Sequence, residues 1–150
     1  ETEAALVVGG ADASGTGFLE LSDGDEVELI PGAQGGFHVW LGMEVSGAAG
    51  RLYLERDARR VEDDALVLRA IRQAVEVPED AMADWWRKPD AVPSFMCPSP
   101  LGLQVFDREI EFRVWLTDDD GETVGEDSIS LIPRCPAGEH RDFCIEICSG

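Results

Sequence analysis

The sequence predicts an all-β fold, an antiparallel sandwich stapled by disulfides, with residues 1–150 forming one domain. Short runs of alternating apolar and polar residues, separated by glycine- and proline-containing turns, are the first observation behind this prediction. The second is the even number of cysteines: all 4 fall in the second half of the chain, and such a pattern indicates a disulfide framework. A chain of 150 residues is also the size of one ordinary domain.

The clearest predicted strand covers residues 37–45, where every second position is apolar. These positions are Phe37, Val39, Leu41, Met43 and Val45. A second alternation runs through residues 110–116, meets the turn at 118–121 and resumes at Ile129 and Leu131. Two alternating runs around an Asp-Gly turn predict a β-hairpin.

Residues 64–76 fit either of two structures. As a helix, the stretch has one apolar face, an N-cap at Asp64 and a stop at Pro78. As a strand, it forms a hairpin with residues 51–60. We predict the strand because the rest of the chain reads as β, and one short helix near 64–76 is the alternative.

Residues 78–104 contain prolines at positions 78, 89, 93, 98 and 100. Proline cannot donate a ladder hydrogen bond. We therefore predict a long, ordered, proline-rich loop in this region, and such loops in compact domains often carry function.

The cysteines, Cys97, Cys135, Cys144 and Cys148, lack the close spacing typical of a zinc site. The alternation over residues 143–148 predicts a strand, which places Cys144 and Cys148 about 13 Å apart. A disulfide requires Cα atoms within about 7 Å, so these two cysteines are not expected to pair. Two connectivities remain. We prefer Cys135–Cys144 with Cys97–Cys148, because residues 136–138 can turn the chain, over Cys97–Cys144 with Cys135–Cys148.

The net charge of −19 reflects 31 acidic residues against 12 lysines and arginines. Such a charge disfavours nucleic acid and favours solubility, cationic partners and divalent ions. No apolar run approaches the ~20 residues of a membrane-spanning helix. The disulfides predict an oxidising location, so we expect a secreted, periplasmic or cell-surface protein. An export signal removed before residue 1, or a lipid anchor upstream of it, is compatible with this sequence.

The stretch from Phe112 to Leu131, with Thr117-Asp118 leading into an Asp120-Gly121 turn, resembles the terminal hairpin of bacterial immunoglobulin-like and PKD-like domains. Residues 31–40 are similar to stretches of bacterial surface lipoproteins. The resemblance implies an immunoglobulin-like sandwich used for adhesion, display or assembly. The chain is longer than the ~100 residues usual for that fold, and its cysteines do not match the usual inter-sheet arrangement.

No catalytic residue is predicted. A serine or cysteine nucleophile needs a base, and the two histidines do not suggest one: His38 lies on a strand face beside Trp40, and His140 lies in a charged loop. The chain has no G-x-S-x-G motif. A hydrolase built on a carboxylate pair is the enzymatic alternative, although no particular pair is singled out.

Two surface features are candidate binding sites. Asp118, Asp120 and Glu122 flank the glycine of the predicted hairpin tip and offer oxygen ligands for calcium, unless they only form a solvated turn. Trp85, Trp86 and Arg87 form the other. In an extended segment the two indoles point to opposite sides, so at most one easily faces the core. The other is then available to bind a sugar or a protein, or is covered by Arg87. The alternative is that both indoles cap an open end of the sandwich beneath the proline-rich loop.

The sequence therefore predicts a non-enzymatic extracellular or periplasmic module that binds or assembles with a protein partner at the bacterial envelope. The alternative is a calcium- or carbohydrate-binding domain that uses the acidic hairpin tip or the tryptophan pair. No other cofactor is expected.

Overall fold

One strand, β4 (Phe37–Ser46), organises the first of two sheets. Its inward residues, Phe37, Val39, Leu41, Met43 and Val45, are all buried, as the alternation predicts. On one side β4 pairs with β1 (Ala5–Gly9) and β3 (Ile30–Pro31). On the other side it pairs with β7 (Trp86–Arg87) and β8 (Val92–Cys97). The computed structural model describes residues 4–32, 35–99 and 102–149.

The second sheet has the order β2-β10-β9-β5-β6. Its strands are β2 (Asp25–Glu28), β5 (Gly50–Arg60), β6 (Leu66–Val77), β9 (Ile110–Thr117) and β10 (Thr123–Arg134). The two sheets enclose one hydrophobic cluster. The predicted all-β sandwich is confirmed, with one difference: β2 runs parallel to β10, so this sheet is mixed rather than purely antiparallel.

The predicted strand at 64–76 is confirmed, because β6 pairs with β5 along most of its length. The alternative helix near 64–76 is wrong. The hairpin predicted from the alternation at 110–131 is also present as β9 and β10.

The prediction of one long loop over 78–104 is wrong. A short 3-10 helix (Glu79–Met82), β7 and β8 lie within this range. Pro93 is tolerated in β8 because that strand forms an edge of the first sheet, where one side of the backbone needs no partner. Pro133 likewise does not end β10, which continues to Arg134.

The predicted strand at 143–148 is wrong as well: Arg141–Cys148 form a helix, α1. Cys144 and Cys148 are one helical turn apart and fully buried, with their sulfur atoms 3.9 Å from each other. Distance therefore does not exclude a bond between them, as it would in a strand. The preferred pairing is nevertheless confirmed, because the structure has the disulfides Cys97–Cys148 and Cys135–Cys144.

A buried arginine joins the two sheets. Arg56 of β5 is only 4% exposed, and its guanidinium reaches the edge strand of the other sheet. It donates to the Pro93 carbonyl at 2.9 Å and to the Ser94 hydroxyl at 3.3 Å. No carboxylate among the described residues pairs with it, and burial lowers the pKa of Arg56. Within the described part of the chain, no helix is long and apolar enough to cross a membrane.

Removal of the two disulfides should have unequal effects on stability. The Cys97–Cys148 bond spans 51 residues and the Cys135–Cys144 bond spans 9. Loop entropy assigns about 4 kcal/mol to the longer loop and roughly 2.5 kcal/mol to the shorter one. Urea unfolding of the Cys97→Ala/Cys148→Ala and Cys135→Ala/Cys144→Ala variants checks this order. A larger loss from the short loop would contradict it.

Candidate functional site

The first sheet has a break beside β4. Strand β1 pairs with Gly42–Ser46 and β3 pairs with Phe37 and His38 on the same side of β4. Between them, residues 39–41 have no strand partner on this side within the described ranges. Strand β8 covers the same residues from the other side only. Val39 and Leu41 are nevertheless buried, and Trp40 is half-buried.

A loop, residues 10–21, folds from the end of β1 across this region. Gly10 and Leu19 form an isolated bridge that closes its base. Thr16 bridges to Asp90, which anchors the middle of the loop on the far side of β4. We call residues 10–21 the cover loop.

Glycines allow the cover loop to approach the sheet closely. A Cβ atom at Gly42 would lie 2.4 Å from the Gly10 carbonyl oxygen. At Gly15, which has a φ of +83°, a Cβ atom would lie 2.8 Å from the Trp40 ring. The Trp40 indole also donates to the Ala13 carbonyl at 3.1 Å. The cover loop therefore packs against the Trp40 side chain, which lies on the outer face of the sheet.

Asp12 holds the conformation of the cover loop. Its carboxylate accepts hydrogen bonds from the Ser14 and Thr16 hydroxyls at 2.5 and 2.7 Å. It also accepts from the backbone N–H groups of Ser14 and Thr16 at 2.9 and 3.1 Å. These bonds, above all that from the Ser14 hydroxyl, lower the pKa of Asp12 well below its usual range. Asp12 is therefore ionised at neutral pH.

The cover loop, the break in the sheet and the edge strand β2 enclose a cleft of about 210 Å³. Its lining is mostly apolar and includes Leu19, Leu21, Val27, Ile30, Val39 and Trp40. Three acidic residues also line it: Asp12, Glu26 and Glu28. Glu26 is paired with Arg134 at 2.9 Å. We call this feature the acidic cleft.

The acidic cleft is smaller than the ~300–1,000 Å³ of pockets that hold complete drug-sized ligands. It is large enough for a side chain or a comparably small group. An apolar lining with carboxylates suits a group with an apolar stem and a cationic end, as in lysine and arginine.

His38 lies next to the cleft on the outer face of β4. Its ring contacts Trp40 edge-on, with centroids 4.4 Å apart. Burial lowers the pKa of His38, so the neutral imidazole is favoured. Its Nε2 atom is buried and has no hydrogen-bond partner among the residues described. His140, by contrast, is exposed, with Nε2 3.6 Å from a Glu139 carboxylate oxygen.

The two side chains of the tryptophan pair point in different directions, as expected for an extended segment. Trp86 packs against the core, whereas Trp85 is 50% exposed. Arg87 is paired with Glu44 at 3.0 Å, and its guanidinium lies 5.4 Å from the centre of the Phe18 ring. Of the two tryptophans, Trp85 is therefore the one whose side chain is available to a ligand.

The three candidate calcium ligands lie at the hairpin tip between β9 and β10. One carboxylate oxygen of Asp118 accepts the backbone N–H groups of Asp120 and Glu122 at 2.9 and 3.0 Å. Asp120 and Glu122 are exposed. Calcium binding here stays a prediction. Among the described residues, the only three metal-type ligand atoms that converge within 4.8 Å are the sulfurs of Cys135, Cys144 and Cys148, and these are in disulfides.

Sequence reasoning missed the acidic cleft. Trp40 was identified only as a neighbour of His38. The available signal was the density of carboxylates between Asp12 and Glu28, where six acidic residues occur without a basic one. This charge alone does not distinguish a site from a solvated surface.

No protein-family model and no curated protein matches the chain. Among solved structures, a glycosyl hydrolase family 2 member from Bacteroides cellulosilyticus DSM 14838 is 16% identical over 63% of this chain, with a TM-score of 0.43. A proposed beta-galactosidase from Bacteroides fragilis is 10% identical over 86%, with a TM-score of 0.47. This chain spans 12% and 17% of the length of those proteins. These likenesses are distant, and no activity is transferred from them.

Loss of the Asp12 carboxylate should open the cover loop. In Asp12→Ala, we expect faster hydrogen exchange at the amides of Ser14 and Thr16, because both have lost their acceptor. Acid should have the same effect on the wild type. The pKa of Asp12 in the folded protein lies below its unfolded value of 3.8. The stabilisation that the Asp12 carboxylate gives to the loop is therefore complete above pH 3.8 and is lost as the pH falls toward the folded pKa.

NMR-detected exchange in both proteins between pH 6 and pH 2 checks this prediction. The Ser14→Ala/Thr16→Ala variant is the control that keeps the carboxylate and removes the two hydroxyl donors. Unchanged exchange in Asp12→Ala would show that the loop is held by other contacts.

Asp118→Ala should destabilise the hairpin tip whether or not calcium is present. Two N–H groups lose their acceptor, and we expect a loss of about 1 kcal/mol, which lowers the melting temperature by roughly 2–4 °C. Thermal melts with millimolar calcium and with chelator give the measurement. A calcium-dependent stabilisation of the wild type that disappears in Asp118→Ala would instead establish the metal site.

Proposed function

We propose that this protein is a non-enzymatic extracellular binding module, which captures a protein partner at the bacterial envelope through the acidic cleft. The observation that carries the proposal is the coincidence of three features in one place. An apolar lining, a length of β4 without a strand partner on one side among the described residues, and acidic residues all meet between β1 and β3.

The dimensions of the cleft support an anchor residue rather than a complete small molecule. A cleft of about 210 Å³ accepts one side chain, and single buried anchors supply much of the energy of many protein interfaces. Trp40 provides a rigid aromatic wall that loses little conformational entropy on binding. The segment next to the anchor residue would hydrogen-bond to the β4 edge at residues 39–41.

The charge distribution supports a basic partner. The protein carries a net charge of −19, and Asp12, Glu26 and Glu28 concentrate negative charge around the cleft. Opposite charge accelerates association and disfavours acidic competitors. The two disulfides are compatible with an extracellular location, which is where the proposal places the protein.

Selection of peptides from a random library tests the proposal and does not require an identified partner. Linear peptides are displayed and selected on the wild type, and we expect enrichment of an apolar residue adjacent to lysine or arginine. Binding of the selected peptides should be lost in Ala13→Trp, which fills the cleft from an exposed position. It should weaken about tenfold or more in Glu28→Lys, because like charges then face each other.

Glu146→Lys on α1 is the matched control, since it makes the same charge change at a position away from the cleft. Peptides that bind Ala13→Trp as well as the wild type, or that lose equal affinity in Glu28→Lys and Glu146→Lys, would contradict the cleft as the site.

Carbohydrate binding at Trp85 is the second candidate function. The half-exposed indole favours it, since sugar rings stack on such surfaces. A glycan array with the wild type and Trp85→Ala tests it. Glycan binding that is lost in Trp85→Ala and kept in Ala13→Trp would support this candidate over the first.

A further inference from the structure

Strand β6 (Leu66–Val77) lies at the edge of the second sheet, next to β5. No strand in the described part of the chain pairs with its other side. It is 12 residues long and contains no proline. Natural proteins normally protect such edges, because an unpaired strand is a template for another strand.

The solvent face of β6 carries opposite charges in a symmetric arrangement. Arg72, Ala74 and Glu76 lie on this face, opposite Glu55, Tyr53 and Arg51 of β5. The Arg72 guanidinium lies 3.9 Å from the centre of the Tyr53 ring. The Arg51–Glu76 pair is loose at 3.8 Å, with the two side chains 59% and 74% exposed. Arg72 and Glu76 are thus both accessible on either side of Ala74.

The inner face of β6 leaves an apolar side chain uncovered. Ile71 is the register partner of Arg56, which is buried between the sheets. Ile71 is nevertheless 38% exposed. A strand added beyond β6 would cover part of this side chain.

We propose that two copies of this chain associate through their β6 strands, antiparallel to each other, about a twofold axis at Ala74. In this register Arg72 lies opposite Glu76 of the second copy, and the pair occurs twice. On the inner face, Ile71 lies opposite Val77 of the second copy. The second sheet of one copy and the second sheet of the other then form one continuous sheet. The β6 edge of each copy is paired by the β6 edge of the other.

The charges near β6 favour a second copy of the chain as the partner that pairs with its free edge. Residues 51–76 contain six arginines and six carboxylates, so this hairpin is locally neutral in a protein of net charge −19. Repulsion from the rest of the molecule is screened beyond about 8 Å at physiological ionic strength. A twofold axis at Arg72 would instead place like charges opposite each other, which destabilises strand pairing. The association does not depend on the acidic cleft, which lies at the opposite edge strand, β2.

Charge exchange tests this register. Sedimentation equilibrium of the wild type should show a concentration-dependent dimer. Arg72→Glu and Glu76→Arg should each raise the dimer dissociation constant about tenfold or more, since both attractive pairs become repulsive. An equimolar mixture of the two variants should dimerise again, because two attractive pairs of glutamate and arginine then form between the two different variants. The double variant Arg72→Glu/Glu76→Arg should dimerise by itself.

Arg141→Glu controls for the change in net charge at an exposed position on α1. Thermal melts of dilute samples establish that each monomer is folded. A monomeric wild type at all concentrations would overturn the proposal. A dimer dissociation constant that is unchanged in the single variants would also overturn it. So would a mixture of the two single variants that stays monomeric.

Discussion

The architecture depends on one constraint: every strand of the first sheet must pair with β4. Strands β1 and β3 share one side of β4, and β7 and β8 share the other. Because β1 ends at Gly9 and β3 begins at Ile30, the side shared by these two strands is not covered continuously. The inward residues of β4 are buried regardless, so the core is complete while the sheet is broken. This separation of a complete core from an incomplete sheet edge is what creates the acidic cleft.

The cover loop turns that break into a cleft that is open on one side to solvent. Glycines at positions 15 and 42 let its backbone approach the sheet at distances that a Cβ atom would prevent. Asp12 then fixes the loop through hydrogen bonds to Ser14 and Thr16. The cleft is consequently formed by local chemistry within the loop, and the carboxylate that holds the loop also contributes to the charge of the site.

Much of the fold follows from period-two alternation, because a strand with one buried face must place apolar residues at every second position. This is why β4 and β9 were predictable, whereas the strand at β6 was predicted only because the rest of the chain reads as β. The helix α1 was not, because Phe143, Ile145 and Ile147 alternate while the buried face is formed by Cys144 and Cys148. In a segment of 8 residues, two disulfides outweigh local pattern. The prolines of 78–104 were also misleading, since an edge strand tolerates them.

The candidate site was less predictable than the fold. The exposure of one indole in the Trp85-Trp86 pair follows from the geometry of an extended chain. The acidic cleft does not follow from any local pattern, because it depends on where two strands distant in sequence end along a third. Arg56 illustrates the same limit: its position on β5 indicates a buried face, but the carbonyl of Pro93 that accepts its hydrogen bond lies on another sheet.

Hydrogen exchange at residues 39–41 tests the central claim most directly. In the free protein, the backbone amides in this stretch that face the break should exchange quickly, whereas their neighbours that face β8 should be protected. A peptide selected on the wild type should slow the exchange of the amides at the break and leave the β8 side unchanged. Slow exchange of all three amides in the free protein, or no change when the peptide binds, would contradict the account.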